Sequence, residues 1–287
     1  MKSLLFAILV ILLTFGTSTA HWSSVLNPFN WFKSKANIPA KRWTDFHVTF
    51  MTFSHLPKTS QDAENDGWVK TGSCDESSYF RGNRYVLDND KSTMVLYDSN
   101  GDFAGIQFGI AKSLVTDKSF SKRAHWNEEG DSLVITAYFT HPSGICNGGR
   151  ADDNLYIQTG PSPRHLMNIP YQESDLSSTL WVEGKCFLWM GQHYWYNISK
   201  EMSCNNSFPV FLLYNWGKLT GFGWAMIADV TSNRVEHPSK NEIQYFFQPD
   251  TQPKCLENVG TLTTQHIYLK KHPKLIFCNP FKRIFSG

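Results

Sequence analysis

The sequence has little charge and no excess of either sign. Its 287 residues include 27 Lys and Arg against 25 Asp and Glu, and charged residues make up 18% of the chain, below the usual quarter. A balance this close to neutral argues against nucleic acid or an anionic membrane as the main partner. Aromatic residues are frequent instead, at 15%, so the chain has large side chains both for a core and for a binding surface.

The sequence motifs of several enzyme classes are absent. The chain contains no G-x-S-x-G nucleophile motif, no phosphate-binding P-loop and no Rossmann glycine fingerprint. Two acidic pairs, Glu128-Glu129 and Asp152-Asp153, are adjacent in sequence. Adjacent side chains on a strand point to opposite faces, so neither pair suits a glycosidase. We therefore lean towards a protein that is not an enzyme, and no cofactor is predicted.

A long apolar run occurs only at the N-terminus. Residues 1–20 combine Lys2, an apolar segment over 4–15, and the small residues Ser18 and Ala20 before a cleavage point, which is typical of a secretory signal peptide. The alternative is a signal anchor, but the apolar segment is too short to span a bilayer comfortably. The sequence therefore predicts a secreted, extracellular protein without a transmembrane span.

Cleavage after Ala20 would leave His21 with a free α-amine beside its imidazole. That pair chelates copper when a second histidine folds nearby, so a secreted copper-dependent oxidase is the most concrete enzyme alternative. One terminal residue is weak evidence for such a site, and a non-enzymatic function is favoured.

Calcium is a second metal alternative. Residues 98–102 open like an EF-hand loop, but Phe103 stands where that loop needs glycine and Gly109 where it needs glutamate. We expect a hairpin turn there. The oxygen-bearing side chains over 152–154 are more typical of a solvated turn than of a calcium site.

The six cysteines include no C-x-x-C pair, which favours a disulfide framework over zinc or thiol chemistry. Two N-glycosylation sequons, at Asn197 and Asn205, support the same oxidising compartment and indicate an exposed loop. We predict disulfides between sequence neighbours: Cys74–Cys146, Cys186–Cys204 and Cys255–Cys278.

Apolar residues alternate with the period of β-strands, and no segment shows a convincing helical stripe. We predict an all-β fold, an antiparallel β-sandwich or barrel, after an irregular arm over 21–42. Residues 54–73 are predicted to be a surface loop. The predicted strands and hairpins cover 43–53, 94–110, 133–140, 155–158, 180–189, 193–196, 210–226, 243–247 and 266–269.

Two of these hairpins resemble each other. Residues 97–111 and 214–227 each begin with tyrosine, pass through an Asx/Gly turn and continue as an apolar, glycine-containing strand. Each is followed later by His-Pro-Ser, at His141 and at His237. Chance likeness between β segments is the alternative to a true duplication.

A duplication would divide the β domain, over 43–287, into lobes at 43–160 and 165–287 with a proline-containing connector between them. The junction of the lobes would then be the favoured ligand cleft.

Aromatic residues are densest over 181–226, where His193 is a ligand or acid–base candidate, although a histidine held in the core is the more common case. Trp and Tyr that face away from a core suit stacking on sugar rings or burying an apolar ligand. We predict a secreted binding or matrix-type glycoprotein that recognises a carbohydrate or a small apolar ligand. The predicted ligand-binding residues are Trp189, His193, Tyr194, Trp195, Tyr196, Trp216 and Trp224.

Overall fold

The computed structural model describes residues 41–74, 79–115, 123 and 125–279. The predicted signal peptide, His21 and most of the predicted arm over 21–42 lie outside the described residues. In the described part, none of the helices has the length and apolar character needed to cross a membrane.

The described residues form fifteen strands and three short α-helices. The helices are α1 (Ser60–Asn65), α2 (Pro142–Ile145) and α3 (Lys240–Ile243). In chain order the strands are β1 (His47–Val48), β2 (Ser54–His55), β3 (Val69–Gly72), β4 (Asn83–Val86), β5 (Met94–Tyr97), β6 (Phe103–Ala111), β7 (Asn127–Glu129), β8 (Ser132–Tyr138), β9 (Leu155–Gln158), β10 (Leu166–Ile169), β11 (Trp181–Phe187), β12 (Gly191–Tyr196), β13 (Val210–Asn215), β14 (Lys218–Ile227) and β15 (Leu262–Tyr268).

The strands make two antiparallel sheets. The first sheet has the order β10-β9-β8-β6-β5-β4-β3, with β7 also paired to β8, and the second has the order β11-β12-β13-β14-β15-β1-β2. Within the described ranges neither sheet closes into a barrel. The predicted all-β class is therefore confirmed, as a sandwich rather than a barrel.

Alternation along each strand builds the core between the sheets. Tyr97 and Phe108 from the first sheet and Leu212 and Trp224 from the second belong to one buried cluster, while Phe211 faces the opposite side of the second sheet. Removing a buried leucine such as Leu212 costs about 2–5 kcal/mol, because the lost contacts leave a cavity. The inner faces of both sheets thus stabilise the fold and are closed to a ligand.

The two predicted hairpins are confirmed and occupy the same position in their sheets. β5 pairs with β6 as β13 pairs with β14, and each pair has a β-bulge directly before a tyrosine. Tyr97 donates a hydrogen bond to the carbonyl oxygen of Pro57, and Tyr214 donates one to that of Pro170. The likeness seen in the sequence therefore extends to the segments that contact each hairpin.

The same correspondence runs along both sheets. The order β10-β9-β8-β6-β5-β4-β3 matches β2-β1-β15-β14-β13-β12-β11, and in the central register Tyr138 faces Gly105 as Tyr268 faces Gly221. The chain passes from one sheet to the other in the same way twice, from β2 through α1 into β3 and from β10 through a 3-10 helix, Glu173–Ser178, into β11. The two sheets therefore share one strand order, although β1 and β2 enter the second sheet from the start of the described chain and do not follow β15.

The predicted lobes over 43–160 and 165–287 stay a prediction. The connector over 160–164 joins β9 to β10, which pair with each other in the first sheet. The strands β1 and β2, from the start of the described chain, belong to the second sheet together with β11–β15.

All six cysteines lie in described residues and are paired. The predicted Cys74–Cys146 bridge is confirmed, whereas the predicted pairs Cys186–Cys204 and Cys255–Cys278 are wrong. The three disulfides are Cys74–Cys146, Cys186–Cys278 and Cys204–Cys255.

The strand order that the two sheets share shows why two of the predicted disulfide pairs are wrong. Cys74 follows β3 and Cys186 lies in β11, the matching strand, and each is bridged to a cysteine in the segment after β8 or β15. That segment begins His141-Pro142 in the first case and His272-Pro273 in the second. The counterpart of His141 is thus His272 and not the predicted His237.

Three further predictions about strands and loops are wrong. The predicted strand over 43–53 contains only β1, because the chain turns at Thr49, Met51 and Phe53, all of which have positive φ. The predicted loop over 54–73 contains β2, α1 and β3, and the predicted strand over 243–247 begins at the last residue of α3.

Capping boxes start two of the helices. The Thr59 side chain accepts from the backbone of Asp62 in α1, and Asp62 reciprocates. Ser239 and Glu242 form the same motif in α3. Both pairs have the spacing that marks a helix N-terminus.

Candidate functional site

A cavity of about 240 Å³ lies on the outer face of the second sheet, beneath the segment over 236–246. Its wall is mainly apolar, and six polar residues complete it: His193, Glu236, His237, Glu242, Thr264 and His266. The aromatic residues in the wall are Phe50, Phe187, Trp195, Phe211, Tyr245 and Phe246.

The pleat of the second sheet aims its floor residues at the cavity. On β12, His193 and Trp195 point outward and line the cavity, while Tyr194 between them points into the core between the sheets. On β15, Thr264 and His266 line the same cavity. Because side chains alternate along a strand, β12 and β15 place these four residues on the same face of one sheet.

Hydrogen bonds and ring contacts hold the covering segment on the sheet. The indole nitrogen of Trp195 donates to the carbonyl oxygen of Phe246 at 3.1 Å, and the backbone N–H of Lys185 donates to the same oxygen. The Trp195 ring stacks on Phe247, with centroids 4.4 Å apart. The Cys204–Cys255 disulfide ties the chain beyond this segment to the loop after β12.

His193 is neutral at physiological pH. Burial lowers its pKa to about 3, and the neighbouring His266 adds to the shift. Its Nδ1 lies 3.0 Å from the carbonyl oxygen of Lys185, and we assign the ring proton to Nδ1 because only a donor can bond that oxygen. This histidine is therefore positioned by the backbone and brings no positive charge to the cavity.

His266 is a buried polar side chain in the cavity wall with unused hydrogen-bonding capacity. It is 4% exposed, and among the described residues neither of its ring nitrogens has a hydrogen-bond partner. Its Nδ1 lies 3.1 Å from Oε2 of Glu236, but the contact does not have the direction of a hydrogen bond. A buried polar atom without a partner lowers the stability of the fold by about 1–3 kcal/mol, and a ligand that bonded this ring would remove that penalty.

Glu236 is held in a fixed position beside His266. Its Oε1 accepts from the backbone N–H of Phe50 at 2.6 Å, and its Oε2 accepts from the hydroxyl of Thr264 at 2.9 Å. Two donors from different strands or turns therefore orient one carboxylate at the wall of the cavity.

The matching place on the first sheet is filled by polar side chains that satisfy each other. Arg84, the counterpart of His193, makes two contacts of 2.6 Å with the carboxylate of Glu129. Gln107 donates to the hydroxyl of Thr136, the counterpart of His266, at 2.9 Å. In the first sheet the side chains at these positions therefore bond each other.

A second comparison concerns the hydroxyl groups next to these positions. In the first sheet Tyr138 donates to Gln158 at 3.0 Å. Their counterparts in the second sheet are Tyr268 and Thr49, and in the described part of the chain the hydroxyl of each is buried without a hydrogen-bond partner. The outer face of the second sheet therefore has unused polar atoms on His266, Tyr268 and Thr49 where the first sheet has a closed network.

The structure separates the predicted ligand-binding residues. His193 and Trp195 line the cavity, but Tyr194 and Trp224 lie in the core between the sheets, where no surface ligand reaches them. Trp216 is 61% exposed in the β13–β14 turn, away from the cavity wall. Trp189 is partly buried against the outer cluster and Tyr196 against the inner one.

Sequence analysis missed most of the cavity. Phe50, Glu236, Phe246 and His266 come from segments far apart in the chain, and none of them belongs to a motif. Within β15 the alternation of His266 and Tyr268 with buried Ile267 is the signal that places both on one outer face.

The acidic residues examined for calcium have structural partners. Asp152 accepts a hydrogen bond from Thr140 at 2.6 Å, and Asp153 forms an ion pair with Arg150. Asp98 accepts from the backbone of Asn100 and of Asp102 in the hairpin turn. Across the described ranges, no group of three or more His, Cys, Asp or Glu side chains is placed to hold a metal ion. His21, the predicted copper ligand, lies outside those ranges.

Comparison of the chain with protein-family models, curated proteins and solved structures finds no match. The functional argument therefore rests on the cavity and its chemistry.

Proposed function

We propose that this protein is a secreted, N-glycosylated binding protein that holds a small, largely apolar ligand in the cavity on the outer face of its second sheet. The observation that carries the proposal is His266, a buried side chain with no hydrogen-bond partner among the described residues, in the wall of an aromatic cavity. Pockets that combine apolar walls with a few convergent polar groups are the usual form of small-molecule sites.

The size of the cavity limits the ligand. A dry apolar cavity of about 150 Å³ holds benzene, so one of about 240 Å³ has room for a single aromatic ring with a short substituent. An apolar ligand is favoured over a carbohydrate chain, because sugars need many hydrogen-bonding groups and the cavity wall is mainly apolar.

The contrast with the first sheet supports the same function. The corresponding outer face is closed by Arg84 and Glu129, and that closed network shows that this sheet geometry can be filled by its own side chains. An open, incompletely satisfied counterpart is then better explained by a ligand than by a limit of the fold.

Secretion and glycosylation enter the proposal through three observations. The chain has three disulfides, which persist in oxidising compartments. Asn197 and Asn205 are both exposed between β12 and β13. Residues 1–20 have the pattern of a signal peptide.

A fragment screen tests the binding proposal. The secreted protein is mixed with fluorinated compounds of one aromatic ring, and binding is followed by fluorine NMR. We expect binders whose affinity falls about tenfold in Tyr245→Ala, since Tyr245 lines the cavity and is 51% exposed, so its removal leaves the fold intact. A loss of this size equals about 1.4 kcal/mol of contact.

The matched control is Trp216→Ala, which removes an exposed aromatic residue outside the cavity. Fragment binding should be unchanged in this variant. If no fragment binds, or if Trp216→Ala weakens binding as much as Tyr245→Ala, the cavity is not the ligand site.

A further inference from the structure

The charge of the cavity wall is one-sided. Glu236 and Glu242 line it, and no Lys or Arg among the described residues does. The hydrogen bonds from Ser239 lower the pKa of Glu242, and His193 is neutral. A cationic ligand would therefore meet two carboxylates and no lysine or arginine among the described residues of the wall.

The aromatic wall suits the same kind of ligand. Trp195, Phe211 and Phe246 present rings around the floor, and Phe50, Phe187 and Tyr245 lie around them. Aromatic rings attract an ammonium group placed over their faces, and the attraction is strongest where water is excluded. Aromatic cages are a typical means by which proteins hold organic ammonium ions, and a carboxylate beside the rings adds an opposite charge.

His266 adds a requirement for a donor on the ligand. In the neutral form of the ring, a proton on Nδ1, next to Oε2 of Glu236 at 3.1 Å, leaves a lone pair on Nε2. That atom is buried and, within the described part of the chain, has no hydrogen-bond partner. An N–H group of the ligand would satisfy it.

We propose that the cavity binds a primary amine in its ammonium form, attached by a short linker to one aromatic ring. This inference deepens the proposed function and depends on it. The ammonium group lies beside Glu236 and donates to His266, and the aromatic ring of the ligand packs against Trp195 and Phe211.

Three ligands that share a phenylethyl group but differ in charge test the inference. Binding of phenethylamine, 2-phenylethanol and 3-phenylpropionate to the secreted protein is measured by isothermal titration calorimetry at one ionic strength. We expect phenethylamine to bind about tenfold more tightly than 2-phenylethanol, since a hydrogen bond between the ammonium group and the Glu236 carboxylate contributes about that much. The anion 3-phenylpropionate should bind most weakly.

Glu236→Gln separates the charge from the shape of the site. This variant should lose the preference for phenethylamine and bind 2-phenylethanol as the wild type does. The control is Glu257→Gln, an exposed residue outside the cavity, which should keep the preference. A preference that survives in Glu236→Gln contradicts the role given to that carboxylate.

The outcomes separate the two proposals. If 2-phenylethanol or 3-phenylpropionate binds as tightly as phenethylamine, the ammonium inference is wrong and the cavity remains a binding site for apolar ligands. If fluorinated fragments bind but none of the three probes does, the ammonium inference also fails. If neither fragments nor probes bind, both proposals fail.

Discussion

His193 shows what burial does to a single titratable side chain. It lies in the floor of the cavity, and burial is the main reason that its pKa falls to about 3. Its counterpart in the first sheet is Arg84, whose positive charge is balanced by an ion pair with the carboxylate of Glu129. The same position thus holds a neutral ring in one sheet and an ion pair in the other.

This difference predicts how acid affects stability. The pKa of His193 in the folded chain lies below its unfolded value of 6.5. Below pH 6.5 the unfolded chain therefore binds a proton at His193 that the folded chain does not bind, which favours unfolding. The contribution of His193 is complete above pH 6.5 and falls as the pH drops towards 3. We expect the free energy of unfolding, measured by urea titration, to decrease from pH 7.5 to pH 5.

Substitutions assign that decrease to one residue. In His193→Gln, where the amide can still donate to the carbonyl oxygen of Lys185, the loss between pH 7.5 and pH 5 should be smaller than in the wild type. His165→Gln changes an exposed histidine and should leave the loss unchanged. An equal loss in the wild type and in His193→Gln would show that other groups cause the acid sensitivity.

At the scale of elements, local sequence signals predicted the hairpins but not the turns between distant segments. Asn100-Gly101 lies between apolar strands, and both residues tolerate positive φ, which is why the first hairpin could be read directly. The turn at 49–53 relies on Thr49, Met51 and Phe53 at positive φ, residue types that rarely adopt it. Tertiary contacts override local preference there.

The disulfides show the same limit. Sequence proximity identified Cys74–Cys146 but failed for Cys186, because its partner is brought close by the return of β15 and not by the neighbouring loop. The all-β class, as a sandwich or a barrel, could be predicted from alternation, whereas the proximity of Glu236 and His266 could not, since it depends on how distant segments pack in the fold.

The Cys204–Cys255 disulfide should act on the covering segment and not on the sheet. It has no counterpart among the bridges of the first sheet within the described residues, and it joins two loops beside the cavity wall. We expect the Cys204→Ala, Cys255→Ala double variant to stay folded but to speed amide hydrogen exchange over 236–257 and to weaken fragment binding. Bridges of this kind contribute about 2–4 kcal/mol.

The paired control removes Cys74 and Cys146 in the first sheet. This change should lower the melting temperature without speeding exchange over 236–257, because that bridge lies on the other sheet. Faster exchange over 236–257 in both double variants would mean that the covering segment reports global stability alone.

The two sheets of the molecule share one strand order but have different outer faces. Seven strands in each sheet match in order, and the tyrosines of the central hairpins bond matching prolines. The shared part stabilises the sandwich, and the outer faces differ. The first is closed by Arg84 and Glu129, and the second is open over the cavity. Because both sheets contribute to the shared core, the outer face of one sheet can differ from that of the other without loss of that core.

The compartment of the protein is a property of the whole chain and can be tested at the two sequons. Asn197 and Asn205 are exposed in the loop after β12, which also contains the disulfide-bonded Cys204. We expect a chain expressed with residues 1–20 in a eukaryotic cell to appear in the medium with glycans on both asparagines. Mass spectrometry before and after glycosidase digestion should show two sites in the wild type and one in Asn197→Gln. The exposed Asn241→Gln, which lies in no sequon, should keep both. Secreted protein without glycans would contradict the proposed modification, and protein retained in the cytosol would contradict the proposed compartment, because three disulfides do not persist there.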